Sequence, residues 1–242
     1  MGKTDIDWCD ETFNIASGCV NGCKYCYARK IVQRFKNIYP FGFEPTVHLD
    51  RKFKSPKKPS IIFLDSMFDI FGDCEYKCYN RENKEIIVRD MKYTPELLFI
   101  KLLADTCVSH FSDRHKYLLL SKNPIPEYAK RMKKSNLFYG FSLTKETANK
   151  LTTEQLVEYD FFSCEPFDYE AIIENISIFK TAKWIILGCQ TKPEIIPEKH
   201  FIEVIIEKCR HLHIPVFVKE PMASMLNIHI QGYPDFLKFK GE

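Results

Sequence analysis

Of six short β-branched and aromatic runs in this chain, 60–64 (SIIFL), 117–120 (YLLL), 138–143 (FYGFSL), 161–163 (FFS), 184–187 (WIIL) and 215–218 (PVFV), most are apolar on both faces. A strand with one face in water alternates apolar and polar residues, whereas a strand without that alternation must be covered on both sides. Helices packed on a parallel sheet supply that cover, so the pattern predicts an α/β fold. Helical stretches fall between the runs. Thr94-Pro95 caps a stretch carrying Leu97, Leu98, Leu102 and Leu103, and Ile196-Pro197 opens one carrying Phe201, Ile202, Ile205 and Ile206. Asp168 reads as a third cap, ahead of Ala171, Ile172, Ile173 and Ile176. There is no internal repeat, low-complexity tract or long linker, so a single domain over 1–242 is expected. The polar stretch at about 72–93 is longer than a normal βα loop and is expected to be an irregular excursion over one end of the sheet.

Charge excludes little. Thirty-five Lys and Arg against 32 Asp and Glu leave a formal +3, too small to demand a polyanionic partner. No apolar run approaches the roughly 20 residues of a membrane span, and the start, MGKTDIDW, lacks the core of a secretory signal. Ile6 stands where a myristoylation motif needs Ser or Thr. The expectation is a cytoplasmic protein with no membrane partner. In a reducing compartment, ten cysteines point to apolar packing, metal binding or redox chemistry rather than to disulfides.

The chemistry concentrates after the first predicted strand, in 13–29 (FNIASGCVNGCKYCYAR). Cys19, Cys23 and Cys26 have the spacing Cys-x3-Cys-x2-Cys. Thiolates this close in a glycine-containing loop can converge on one cubane cluster, and three ligands leave one iron open. Gly18 and Gly22 permit tight turns, Tyr25 is placed to cover the cluster, and a helix is expected to start at Ala28. The competing reading is a structural zinc site, which needs four ligands; His48 and Cys9 are the candidates to complete it. Cys74 and Cys78 form a second Cys-x3-Cys pair, read as ordinary thiols, and Cys107, Cys164, Cys189 and Cys209 as small apolar residues. His110, His115, His200, His211, His213 and His229 show no zinc-type pairing with carboxylates.

The loop resembles the signature of the radical S-adenosylmethionine (SAM) superfamily, Cys-x3-Cys-x-aromatic-Cys, which matches completely at Cys19, Cys23, Tyr25 and Cys26. Over almost its full length the chain resembles a small phage-associated family of radical SAM proteins. That likeness is carried by Ile6-Asp7-Trp8, Ser66-Met67-Phe68-Asp69, 120–124 (LSKNP), Gly140-Phe141-Ser142 and Ser163-Cys164-Glu165-Pro166. The resemblance implies a partial (β/α)6 barrel with an insertion after the second strand, a [4Fe-4S] cluster on the three cysteines, and S-adenosyl-L-methionine bound to the open iron. It also implies an electron donor such as flavodoxin or ferredoxin, and hydrogen abstraction by a 5′-deoxyadenosyl radical. Ser66-Met67-Phe68-Asp69 stands where the superfamily has a Gly-Gly-Glu-type segment.

In parallel sheets functional groups gather at the carboxyl ends of strands. Asp65, Ser66, Asp69, Lys122, Ser142, Glu165, Gln190, Lys219 and Glu220 all stand at or just after the carboxyl ends of predicted strands. Ser66 and Asp69 are assigned to the SAM amino group, Ser142 to its ribose or carboxylate, and Glu165 to the ribose or substrate; Lys122 and Lys219 would meet an anionic group. Each has a plainer role open to it as a helix cap or loop residue. Two basic runs, 52–58 (KFKSPKK) and 130–134 (KRMKK), with Phe35, Tyr39, Phe41 and Phe43 ahead of the first, suggest a nucleic-acid substrate for modification or repair. The alternative is a nucleic-acid-binding or adaptor protein with a structural metal at the triad.

Overall fold

The computed structural model describes residues 2–82, 85–106, 114–191 and 193–239. Two compact units are present: Met1–Thr4, Cys9–Ser121 and Ile125–Leu137 in the first, Asp5–Trp8, Lys122–Pro124 and Phe138–Glu242 in the second.

The first unit runs β1 (Gly2–Lys3), β2 (Glu11–Thr12), β3 (Ala16–Ser17), α1 (Tyr27–Arg34), β4 (Thr46–His48), β5 (Ser60–Phe63), β6 (Tyr76–Glu82), β7 (Glu85–Tyr93), α2 (Pro95–Asp105), β8 (His115–Ser121) and α3 (Glu127–Arg131). β2, β5 and β8 pair in parallel, Glu11 opposite Ile62 and Ser60 opposite His115, with β1 antiparallel at one edge. α2 begins as predicted, the Thr94 hydroxyl accepting from Leu97 N. Its inner face buries Leu98, Phe99, Leu102 and Leu103, while Leu97, expected in that stripe, is half exposed.

A second sheet, in the order β3–β4–β6–β7, revises the expectation of an irregular excursion at 72–93. β6 and β7 form an antiparallel hairpin, and β6 pairs in parallel with β4, Val47 opposite Cys78. Tyr76, Cys78 and Tyr79 are buried while Lys77 is exposed, and the charged and polar residues among them conceal the strand from a pattern of fully apolar runs.

The second unit holds β9 (Leu137–Ser142), α4 (Thr153–Leu156), β10 (Phe161–Cys164), α5 (Tyr169–Glu174), β11 (Ile185–Leu187), β12 (Gln190–Thr191), β13 (Glu194–Ile195), α6 (Lys199–His211), β14 (Val216–Val218) and α7 (Met222–Leu226). β9, β10, β11 and β14 pair in parallel, with Ser142 opposite Ser163, Cys164 opposite Leu187 and Leu187 opposite Val218. Every residue of these four strands is buried, as runs without polar alternation require. Asp168 caps α5 by accepting from Ala171 N (2.8 Å), but the helix ends at Glu174 and Ile176 lies exposed in a following 3₁₀ turn. α6 starts two residues after Pro197 and buries Ile202, Ile205 and Ile206. Trp8, Phe161, Trp184 and Phe217 pack ring against ring, and Phe161 occupies the space above Gly140, where a Cβ would stand 2.2 Å from the ring. The fold is therefore mixed α/β with parallel strands in both units. Among the described residues no helix is long and apolar enough to cross a membrane.

Candidate functional site

The cysteine loop joins β3 to α1 in the first unit, and its geometry is fixed from several sides. Gly18 has φ +79° and packs so tightly that a Cβ would meet Glu44 O at 2.4 Å and Phe43 O at 2.5 Å; its N–H donates to Met67 O (3.0 Å). Gly22 has φ +67° with open space around it. Cys26 N donates to Cys23 O (3.3 Å), closing a turn, and Cys26 is itself the N-cap of α1. The helix is held by Ala28 and Val32, four residues apart on its buried face, packed on Met67 with Ile31, Tyr39 and Phe43 around them.

Asp69 anchors the loop from outside. Its carboxylate accepts from Asn21 Nδ2 (2.6 Å), Ser121 Oγ (2.6 Å) and Phe71 N (3.2 Å), and its carbonyl accepts from the Tyr76 hydroxyl (2.9 Å). Asn14 ties the strand end to the base of the loop, donating to Ser66 Oγ (2.9 Å) and accepting from Met67 N (2.8 Å). Tyr27, first residue of α1, donates to Ser66 O (2.5 Å). None of Asn14, Asn21, Tyr27 and Ser121 was singled out by sequence, because isolated Asn, Tyr and Ser side chains carry no pattern and their partners lie 39 to 53 residues away.

Cys19, Cys23 and Cys26 are partly exposed, and none of them is in a disulfide. Burial pushes the Cys19 thiol up to about 12; the negative charges of Asp69, Cys26 and Cys23 push the same way, and the Asn21 backbone N–H opposes them. A backbone donor thus already serves one of the three sulfurs. Among the described residues no group of three or more His, Cys, Asp or Glu converges as ligands of a single ion do. A cubane's thiolates each take a different iron and have no need of a common point, so three partly exposed thiols in one loop, one of them served by a backbone donor, fit that group.

His48 does not complete a zinc set. The Tyr79 hydroxyl donates its one proton to Ile38 O (2.7 Å), so it accepts from His48 Nδ1–H (2.6 Å), and Nε2 accepts from Ser17 Oγ (2.8 Å). Both ring nitrogens are committed, and burial, with Arg51 and Arg81 adding to it, drops the imidazole to about 2. The ring instead fastens β3, the strand feeding the cysteine loop, to β4 and β6. Cys74 lies against the Tyr76 hydroxyl while Cys78 is buried in β6, so the second pair does not converge. Cys164, Cys189 and Cys209 are buried, and Cys107 and His110 lie outside the described residues.

The remaining predicted residues divide. Asp65 is buried beside β8, its Oδ1 accepting from Leu120 N (3.0 Å) and its Oδ2 without a partner among the described residues; burial raises its carboxyl well above the usual range. Ser66 and Tyr25 are partly exposed, Tyr25 inside the loop. In the second unit Lys122 donates to Ser142 Oγ (2.8 Å) and Lys219 to Glu165 (2.5 Å), both at carboxyl ends of strands. The Lys219–Glu165 pair lies over Gly188, where a Cβ would stand 3.1 Å from Glu165 Cδ and 3.2 Å from Lys219 Cδ. Gln190 and Glu220 serve local structure: Gln190 Nε2 donates to Pro193 O (2.9 Å), and the Glu220 carboxylate accepts from Ser224 Oγ (2.9 Å) in α7. The run 52–58 sits at the amino ends of β5 and β8, where Ser55 bonds His115 (3.0 Å), and the cysteine loop follows the other end, through Met67 and Ser66.

No curated protein and no solved structure matches the chain. The family model described as protein of unknown function (DUF5131) matches residues 3–224, nearly the whole of the chain, and the chain belongs to that family.

Proposed function

We propose that this chain is a radical SAM enzyme in which Cys19, Cys23 and Cys26 hold a [4Fe-4S] cluster. The observation that carries the reading is the cysteine loop: three partly exposed thiols, none in a disulfide, in one loop anchored through Asn21 to Asp69. When bound, the cluster supplies one electron to the sulfonium of S-adenosyl-L-methionine, which makes the radical that abstracts hydrogen from substrate. The Asn21 backbone N–H steadies the Cys19 thiolate. Asp69, with its carboxylate held by Asn21, Ser121 and Phe71, positions the loop more than it binds cofactor. Ser66 accepts from Asn14, and its own hydroxyl proton has no acceptor among the described residues, which leaves it to donate to the cofactor. The accompanying fold reading is a partial (β/α)6 barrel, supported by parallel strands followed by helices in both units. A nucleic-acid substrate is carried with it on the exposed Lys52, Lys54, Lys57 and Lys58. The structural-zinc alternative needs a fourth ligand, and His48 is committed elsewhere.

The test is anaerobic purification, iron and sulfide analysis, and low-temperature electron paramagnetic resonance of the reduced protein with and without SAM. The expected result is a [4Fe-4S]⁺ signal that shifts with SAM, vanishes in Cys23→Ala, and accompanies 5′-deoxyadenosine formation with dithionite. Stoichiometric zinc with no such signal, or a loaded cluster that never cleaves SAM, would overturn it.

A further inference from the structure

Residues 12–43 contain no Asp or Glu, yet hold Lys24, Arg29, Lys30, Arg34 and Lys36 in a chain whose formal total is only +3. Elsewhere cations sit on carboxylates, as Lys92 does on Glu75 (2.7 Å), Lys101 on Asp105 (2.7 Å) and Lys183 on Asp160 (2.8 Å). At the end of α1 the chain turns through six consecutive exposed residues, 33–38 (QRFKNI), which line a recess of about 440 Å³. Their backbone is fixed from behind. Ile38 N donates to Phe35 O (2.8 Å), the Tyr79 hydroxyl donates to Ile38 O (2.7 Å), and the Arg81 guanidinium donates to Asn37 O. β6 therefore holds the turn while the residues that line it stay exposed. Along them an amide, a cation, a ring, a cation and an amide follow in order. Neither Arg34 nor Lys36 has a carboxylate partner among the described residues, and the Arg34 guanidinium lies over the Phe35 ring (5.3 Å), itself 44% exposed.

Two cations without carboxylates beside an exposed ring suit a ligand that is both anionic and planar. A protein-docking face has an apolar centre with a polar rim. Here the ring stands between cations and amides, the mixture that holds single strands: phosphates on cations, bases on aromatic rings or guanidinium planes, base edges on polar side chains. Stacking of that kind needs a base out of its pair, and a recess of this volume falls in the range of about 300–1,000 Å³ that takes small planar ligands. We infer that the turn at the end of α1, residues 33–38, binds single-stranded nucleic acid, with phosphates on Arg34 and Lys36, an unpaired base on Phe35, and base edges within reach of Gln33 and Asn37. Binding stands on the turn itself; only the strand's role as substrate rests on the function proposed above. Placement supports that role. Lys30, one helical turn before Arg34, continues the cationic edge toward the cysteine loop. Cys26 caps α1, and an eight-residue helix is roughly 12 Å long, three or four nucleotides at about 3.4 Å each. The lysines of 52–58 lie at the opposite strand ends and form a separate cluster.

The test uses the full chain, purified anaerobically, and a short fluorescein-labelled oligothymidylate, single-stranded or annealed to its complement, read by fluorescence anisotropy at several salt concentrations. The expected result is single-strand binding about tenfold tighter than duplex. Arg34→Gln/Lys36→Gln should weaken it about tenfold and reduce the slope of log K against log salt by about 1.4, at about 0.7 per phosphate contact. Phe35→Leu should weaken it about fivefold or more while Phe35→Tyr keeps the wild-type value, which separates stacking from a folding defect. Lys52→Glu/Lys54→Glu/Lys58→Glu should bind as wild type. The inference is overturned if the wild type does not bind, binds duplex as tightly, or keeps its affinity in both the Gln variant and Phe35→Leu. Loss confined to the Lys52→Glu/Lys54→Glu/Lys58→Glu variant overturns it by moving the strand to the other cluster, and displacement by polyglutamate as readily as by unlabelled oligonucleotide overturns it by showing a general anion face. Iron, sulfide and electron paramagnetic resonance are measured on the same preparations. Absence of the cluster sinks the proposed function and leaves anisotropy to decide the binding, whereas a normal cluster with no strand bound sinks this inference alone.

Discussion

Two alanine substitutions in the cysteine loop separate a conformational cost from a steric one. Gly18 and Gly22 both have positive φ, +79° and +67°, so each pays for a Cβ in the left-handed region, about 1–2 kcal/mol, offset by roughly 0.5–1 kcal/mol from a stiffer unfolded chain. Gly22→Ala meets nothing within 4 Å and should cost about 1 kcal/mol or less. Gly18→Ala places its Cβ against the Glu44 and Phe43 carbonyl oxygens, about 1 Å inside ordinary contact, and those atoms belong to backbone that cannot swing away. Displacing it adds about 1–3 kcal/mol, for a total of about 2–4 kcal/mol. The assay is urea unfolding of both variants beside wild type, followed by iron loading of the folded fraction. Gly18→Ala should lower the midpoint clearly and load iron poorly, with Gly22→Ala close to wild type in both. Equal costs at the two positions would refute the close approach of the loop to the 43–44 backbone.

Three further outcomes follow from buried charge. His48 is held neutral at about 2 while an unfolded histidine takes a proton near 6.5, so the unfolded state binds more protons between those values and stability falls with acid. From this group alone, pH 5 should be less stable than pH 7 by about 2 kcal/mol, and His48→Gln should remove that slope in urea titrations. Asp65 runs the other way: its raised pKa means the native state keeps a proton the unfolded state has released above about 3.8, so stability falls as pH rises. Asp65→Asn should flatten that fall and be more stable than wild type at pH 8, and a variant less stable there would show the carboxylate has a native partner. For Lys219 and Glu165, part-buried at 14% and 34% side-chain exposure, Lys219→Met or Glu165→Gln alone should cost about 1–3 kcal/mol and the double variant less than the sum. Strict additivity in thermal melts would mean the pair is not formed.

What was legible in the sequence follows from how locally each feature is encoded. β9, β10, β11 and β14 were readable because complete burial writes itself as unbroken apolar runs such as 184–187 (WIIL). Thr94 and Asp168 were readable because a cap and its partner lie three residues apart. The hairpin of β6 and β7 was not, since its charged and polar residues look like loop by composition and its partner β4 lies some thirty residues earlier. In the candidate site the cysteines and Gly18 announced themselves by spacing, whereas Asn21, Asn14 and Ser121 acquire meaning only when the fold brings them to Asp69 and Ser66. His48 was noticed for the wrong reason: as a possible ligand, when its two nitrogens brace the sheet beneath the loop.

The position of Asp69 bears on whether the cysteine loop can be moved to another protein. Its one side chain and carbonyl join Asn21 in the loop, Ser121 at the end of β8 and Tyr76 at the start of the hairpin. Those three segments are consecutive in neither chain nor sheet, so the loop's shape is borrowed from its surroundings. A synthetic peptide of residues 13–29 carries all three thiols and both glycines yet none of that scaffold. Transplanting the motif therefore means transplanting Asp69 and its setting in the first unit, not residues 13–29 alone.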